Sequence, residues 1–204
     1  MRNKNLYRSA FDWYTKEKEG ETMNEVLKAI GERRSIRAYT DEPVKSEHLE
    51  ILKTAALQSP SARNLQPYHF AFVTDPEVLK EFTHDAQVAL SRRENAGALV
   101  KDPSYDVRYK APLVVFIFAT IPGNFTLVDC GIACENLALA AHDLGLGSVI
   151  LGMPRDVFHS EFAEKWYQRL CPNEKGEFAI AIAIGHPAAT KDAHPVREGL
   201  ITCI

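Results

Sequence analysis

The densest cationic run in the chain, Glu-Arg-Arg-Ser-Ile-Arg at 32–37, sets three guanidinium groups and a hydroxyl side by side. Arginine presents planar, paired donors and serine a short rotatable one, so Arg33, Arg34, Ser35 and Arg37 can neutralise and hydrogen-bond a phosphate dianion. In an extended segment Arg33, Ser35 and Arg37 share a face, and in a helix Arg33 and Arg37 do. The same arginines also suit a solvated basic patch. A second cluster lies at 59–67, Ser-Pro-Ser-Ala-Arg-Asn-Leu-Gln-Pro, where Ser61, Asn64 and Gln66 supply a hydroxyl and two amides between Pro60 and Pro67. A loop stiffened at both ends and carrying several polar tips can grip the rim of a flat heteroaromatic. It also reads as an ordinary helix-to-strand connection.

Composition limits what such groups can serve. The chain has 204 residues, 46% hydrophobic and 25% charged, enough apolar side chain for a core in one domain. Net charge is −3 and the isoelectric point about 6.2, which removes the general electrostatic case for nucleic-acid binding. No run of roughly 18 apolar residues suggests a membrane span, and the charged, aromatic start (1–22, with Phe11, Trp13 and Tyr14) has no signal-peptide pattern, so a reducing cytoplasm is the expected location. The four cysteines form no metal-binding spacing; Cys130 and Cys134, one helical turn apart in an apolar stretch, read as small core residues. The seven histidines, His69 and His186 among them, read as structural or surface groups.

The elements that must carry the two clusters follow from periodicity. Val26, Leu27 and Ile30 recur at helical spacing after Asn24, a suitable N-cap. A helix is expected from Ser46 to just before Pro60, a strand at 69–74, and a helix from Asp75 as cap with Pro76 at its first position. Residues 84–110 read as a broken helix or a surface segment over a site. A strand buried on both faces is expected at 111–120, and a long helix at 125–145, apolar almost all round and therefore to be covered on every side. A short strand (148–152), a helix (154–170) and a strand (176–187) complete a layered α+β or α/β order.

Four motifs in sequence, RRSIRAY (33–39), SPSARNLQPYHF (59–70), NLALAAHDLGLGSVILG (136–152) and AIGHP (183–187), resemble the nitroreductase family of FMN-dependent oxidoreductases; the resemblance runs from about Met23 to Arg197. It implies an α+β fold with a central, mostly antiparallel sheet flanked by helices, an intertwined homodimer, and an FMN site at the subunit interface. Residues 1–22, charged and aromatic ahead of Met23, read as an extension, and the resemblance implies a flavin-binding domain at 23–204. By this resemblance Arg33, Arg34, Ser35 and Arg37 hold the phosphate, ribityl chain and pyrimidine edge of FMN. Pro60, Ser61, Ala62, Asn64 and Gln66 belong to a loop donated by the other subunit. Ile150, Leu151, Gly152 and Met153 match the strand end under the isoalloxazine, with the Gly152 amide toward N5; Arg197 matches a basic residue on the phosphate, and Asp129 a polar contact on the central helix.

The implied activity is hydride transfer from NAD(P)H through flavin N5 to a small nitroaromatic, quinone or similar electrophile, the two substrates alternating in one pocket. No catalytic side chain is required; Arg37 is the expected source of positive charge at the pyrimidine edge. A non-catalytic flavin-binding or sensor module, and a dehalogenating or flavin-fragmenting branch of the family, are the alternative readings. The chain departs from many relatives at Tyr68, where they carry Trp, at Gly152–Met153, where they carry a Glu-Gly or Gly-Gly pair, and at Pro195, where some carry a second cation.

Overall fold

The computed structural model describes residues 24–93, 97, 102, 104–197 and 199–204. The expected extension at 1–22 lies outside them. Four strands, β1 (Tyr68–Val73), β2 (Leu113–Ala119), β3 (Gly147–Leu151) and β4 (Glu177–Gly185), form one sheet in the order β1-β2-β4-β3, antiparallel throughout. Among the described residues five helices surround it: α1 (Glu25–Glu32), α2 (Ser46–Leu57), α3 (Pro76–Ser91), α4 (Thr126–Asp143) and α5 (Ala163–Leu170).

The unbroken apolar run of β2 has a simple cause: both of its faces are covered. Val114, Phe116 and Phe118 point into a core with Leu79, Phe82, Phe158 and Trp166, beneath α3, α5 and the 3-10 turn Met153–His159. Leu113, Val115 and Ile117 point the other way, into a core with Leu52, Cys130, Cys134 and Leu137 from α2 and α4. With period-2 alternation, each face of a central strand then demands apolar residues. A bulge where Phe118 pairs with Phe178 after Ile117 pairs with Ile180 keeps Phe178 on the aromatic face beside Ala181.

Helix signals read from sequence hold at their starts. Asn24 Oδ1 accepts from the Val26 amide, and Asp75 Oδ1 accepts from the amides of Glu77 and Val78 ahead of Pro76. The stretch expected to be broken from residue 84 is instead helical to Ser91, because Phe82, Ala86, Ala89 and Leu90 continue the buried stripe. The helix expected over 154–170 divides into a 3-10 turn and α5. Among the described residues, nothing covers helix α4 on every side. Its inner face is buried, while Phe125, Leu127, Val128 and Ile132 at its outer edge are 61, 62, 56 and 37% exposed. Val26, Leu27 and Ile30 of α1 are exposed as well.

The segment after α1 runs extended along the sheet's edge. Ser35 bridges Ser148 in parallel, the Ile36 amide donates to Ser148 O at 2.9 Å, and Tyr39 bridges Pro187. Two close approaches allow this: a side chain at Gly147 would lie 3.0 Å from Ile36 Cβ, and one at Gly185 only 2.5 Å from Pro112 Cδ and 3.1 Å from Tyr39. Larger residues there would push the segment away from the sheet.

Candidate functional site

Because residues 33–37 run beside β3, the arginines are carried to the strand whose far end holds Ile150, Leu151, Gly152 and Met153. Sequence separation of more than a hundred residues is closed by one parallel bridge. Arg33 Nε lies 3.4 Å from Glu135 Oε1 of α4 without hydrogen-bond geometry and is a buried donor with no partner among the described residues. Arg34 turns back, donating to Gly31 O at 2.7 Å and Arg33 O at 2.8 Å. Arg37 is exposed, its Cζ 5.9 Å over the ring of Tyr109.

A cleft of about 340 Å³ opens on this segment, lined by Arg33 and Arg34, by His142 in the last turn of α4, by Gly145–Ser148 leading into β3, and by Lys191. Sequence reasoning missed Lys191. Only the pairing that returns the chain after β4 onto residues 38–39, with the Ala188 amide on Ala38 O at 2.9 Å, delivers it there. Arg197, predicted from sequence, lies farther along the same exposed run, with no hydrogen bond to the cluster among the described residues.

The proline-bracketed loop is built on a different support. The Ala62 amide donates to both carboxylate oxygens of Asp129, at 3.2 and 3.3 Å, and Asp129 is buried in α4. Asn136 Nδ2 donates to Ser59 Oγ at 3.0 Å, and the Tyr68 hydroxyl to Ser59 O at 2.8 Å. Within the loop, Ser61 Oγ accepts from the Gln66 amide at 2.9 Å and Asn64 Oδ1 from Gln66 Nε2 at 3.2 Å. Arg63, Asn64 and Gln66 all have positive φ, 53°, 54° and 47°. Non-glycine residues adopt this conformation at a cost, and such strain concentrates where geometry matters. Pro60, Asn64 and Gln66 are exposed, Ser61 and Ala62 half-buried. No hydrogen bond or ion pair among the described residues joins this loop to residues 33–37 or to 150–153. One chain therefore carries two separate polar clusters: cations beside a strand end, and a stiff polar loop on the central helix.

Residues after α3 add a feature that periodicity did not reveal. The stretch 104–111, expected as part of a surface segment, is pinned: Gln87 Nε2 donates to Asp102 O, Arg108 Nε to Thr83 Oγ1 and Arg108 Nη1 to Ala111 O. Tyr105 and Val107 are buried in the aromatic core. Burial pushes the Tyr105 and Tyr39 phenols well above the usual tyrosine range, so both stay protonated donors. Burial likewise raises Cys130 to about 11 and Cys134 to about 12, in keeping with inert core thiols.

The donor set fits a ribityl phosphate bearing an isoalloxazine. Guanidinium groups, among them a buried Arg33 N–H that lacks a hydrogen-bond acceptor among the described residues, suit the anion, and Gly152, where a Cβ would meet nothing within 4 Å, together with half-exposed Ile150, leaves apolar, open backbone for a ring.

The family model described as Nitroreductase family matches residues 30–186. A putative NADH dehydrogenase/NAD(P)H nitroreductase of Archaeoglobus fulgidus is 34% identical over 174 residues, 83% of this chain and 90% of that protein. An FMN reductase [NAD(P)H] of Bacillus subtilis is 33% identical over 178 residues, 81% of this chain and 67% of that one. The crystal structure of a nitroreductase with bound FMN from Desulfitobacterium hafniense superposes with a TM-score of 0.83 at 31% identity, covering 90% of this chain and all of that one.

Proposed function

From the premise that this chain belongs to the nitroreductase family, we propose that it is an FMN-dependent NAD(P)H oxidoreductase acting on small nitroaromatic, quinone or related electrophiles. The observation that carries the reading is the parallel Ser35–Ser148 bridge, which seats Arg33, Ser35 and Arg37 along the strand leading to Gly152. Arg33 and Arg34, helped by Arg197 and Lys191, would hold the phosphate. Ser35 would meet the ribityl chain. Arg37 would supply positive charge at the pyrimidine edge, and Ile150–Met153 would back the ring. Bound flavin would supply the two-electron chemistry, taking hydride from NAD(P)H and passing it to the acceptor. The protein's part is to hold the phosphate, back the ring and place Arg37's positive charge at the pyrimidine edge.

The site is completed in this reading by a second copy. The apolar stripe of α4 and the exposed apolar residues of α1 suit burial against an identical chain, and the 60–66 loop of one copy would meet the flavin held by the other. We take residues 23–204 as the flavin-binding domain and 1–22 as an extension to it. Among the described residues no helix is long and apolar enough to cross a membrane; the free cysteines suit a reducing cytoplasm.

The test is direct. Purified protein reconstituted with FMN should be a yellow dimer whose visible flavin absorbance bleaches anaerobically with NADH or NADPH and returns on adding an acceptor. A yellow dimer that neither nucleotide bleaches would leave a non-catalytic flavin module; a colourless protein that ignores FMN would end the flavin reading.

A further inference from the structure

Two of the segments assigned to the flavin are joined by a pair of tyrosines that no motif marks. Tyr109 lies under Arg37, with the guanidinium carbon 5.9 Å from its ring centroid. Tyr105 stands edge-on to Tyr109, centroids 6.3 Å apart at 86°. The Tyr105 hydroxyl donates to Met153 Sδ at 3.5 Å. A continuous line of contact therefore runs Arg37–Tyr109–Tyr105–Met153, from the exposed cation to the residue after Gly152. The line rests on a rigid base. Arg108, between the two tyrosines, pairs with Asp106 at 3.2 Å and bonds to α3 through Thr83, and Tyr109 and Met153 pack against the aromatic core. The backbone is held left-handed at Tyr109 (φ 56°) and Lys110 (φ 62°). For bulky residues that conformation persists only where surroundings enforce it. Here it turns the Tyr109 ring toward Arg37.

An exposed arginine on a flexible stem samples many rotamers, and its field at a given point is diluted accordingly. An aromatic face beneath the guanidinium narrows that sampling while leaving the charge intact. We infer that Tyr109 is a positioning residue, holding the Arg37 guanidinium at the pyrimidine edge of the flavin, and that Tyr105 ties the same platform to Met153 at the other end of the ring. The inference deepens the flavin reading and rests on it.

It is tested on FMN-reconstituted dimer by measuring the flavin midpoint potential with equilibrating dyes, alongside thermal unfolding. Tyr109→Asn removes the ring with a residue that tolerates positive φ; Tyr109→Gly does so with the least backbone constraint and serves if the first does not fold. Either should weaken reduced flavin relative to oxidised by roughly threefold to tenfold, the range for a cation over an aromatic face, tenfold being about 30 mV for a two-electron couple. Tyr109→Phe, which keeps the face, should restore the parent potential. In an Arg37→Gln background, Tyr109→Asn should change the ratio by less than about twofold, since a coupled pair is not additive. A full-sized shift in that background, or no shift in the parent background, overturns the positioning role while the flavin reading stands. A parent protein that takes up no FMN overturns both.

Discussion

Replacing Asp129 probes whether the 60–66 loop belongs to the flavin site or only to the fold. Its carboxylate is 4% exposed and accepts the Ala62 amide at 3.2 and 3.3 Å. A hydrogen bond to a buried charged acceptor contributes about 1.5–3 kcal/mol. The loop it anchors carries three left-handed non-glycine residues, Arg63, Asn64 and Gln66, each held there at a cost on the order of 1–3 kcal/mol. Asp129→Leu, which keeps the branched skeleton with bulkier methyl groups, removes the acceptor, so the loop relaxes and must be reordered when FMN binds. That cost transfers to affinity: about 1.5–3 kcal/mol corresponds to a Kd roughly ten- to hundredfold weaker. Asp129→Asn keeps an oxygen acceptor without charge and should lose roughly threefold to tenfold, a neutral bond being about half as strong. Titration of apoprotein by quenching of FMN fluorescence reads the Kd, and thermal unfolding of the apoprotein reads the structural cost separately. An Asp129→Leu protein that melts earlier yet binds FMN within about twofold of the parent would refute the argument, leaving Asp129 as a fold residue only.

Arg33→Gln should weaken FMN by about tenfold or more, the loss of a charge-assisted phosphate contact, while riboflavin, which lacks the phosphate, binds as before; equal losses for both ligands would remove Arg33 from the phosphate. Val128→Lys places a charge on the exposed stripe of α4 and should give a folded monomer by light scattering with little FMN uptake; a flavin-loaded dimer would show that this stripe is not the interface. The cysteines have a sign that can be read from their environments. Burial raises Cys130 to about 11 and Cys134 to about 12, so at pH 8 only about one thiol in a thousand or fewer is thiolate. Ellman's reagent should therefore find one fast thiol, the exposed Cys203, with reactivity at the others appearing on unfolding or as pH approaches those values. Several fast thiols in folded protein at pH 8 would contradict the packing around α4.

Much of this arrangement was legible in the residues because it follows local rules. The caps at Asn24 and Asp75, the two-faced β2 and the core cysteines of α4 all depend on neighbours within a turn or on alternation. What escaped depends on distant partners. Helix α3 runs to Ser91 because Asp85 is buried against Trp166 Nε1 at 2.8 Å and Lys165 Nζ at 2.5 Å, residues some eighty positions away; alone, Thr-His-Asp-Ala-Gln reads as polar and weakly periodic. The ordered turn at 104–111 rests on Thr83 and Gln87. Lys191 reaches the arginine cluster only through backbone pairing of residues 187–188 with 38–39.

The same dependence on distant partners explains why α4 is apolar on nearly every side yet carries a few placed polar groups. Its inner face builds the core through Cys130, Ala133 and Leu137. Asp129 holds the loop and Asn136 reaches Ser59 at the loop's root, while Glu135 stands 3.4 Å from Arg33. The outer edge offers Phe125, Val128 and Ile132 to solvent. One helix thus supports the loop, faces the cation segment and presents the apolar stripe, all within a dozen residues. In the proposed dimer, docking that stripe fixes the helix, and with it the loop of each copy relative to the arginines of the other. Flavin binding and association would then share one rigid element, so that neither polar cluster could be tuned without passing through it. On this argument the small residues of α4 are constrained twice over, by the core beneath them and by the close approach of a second backbone.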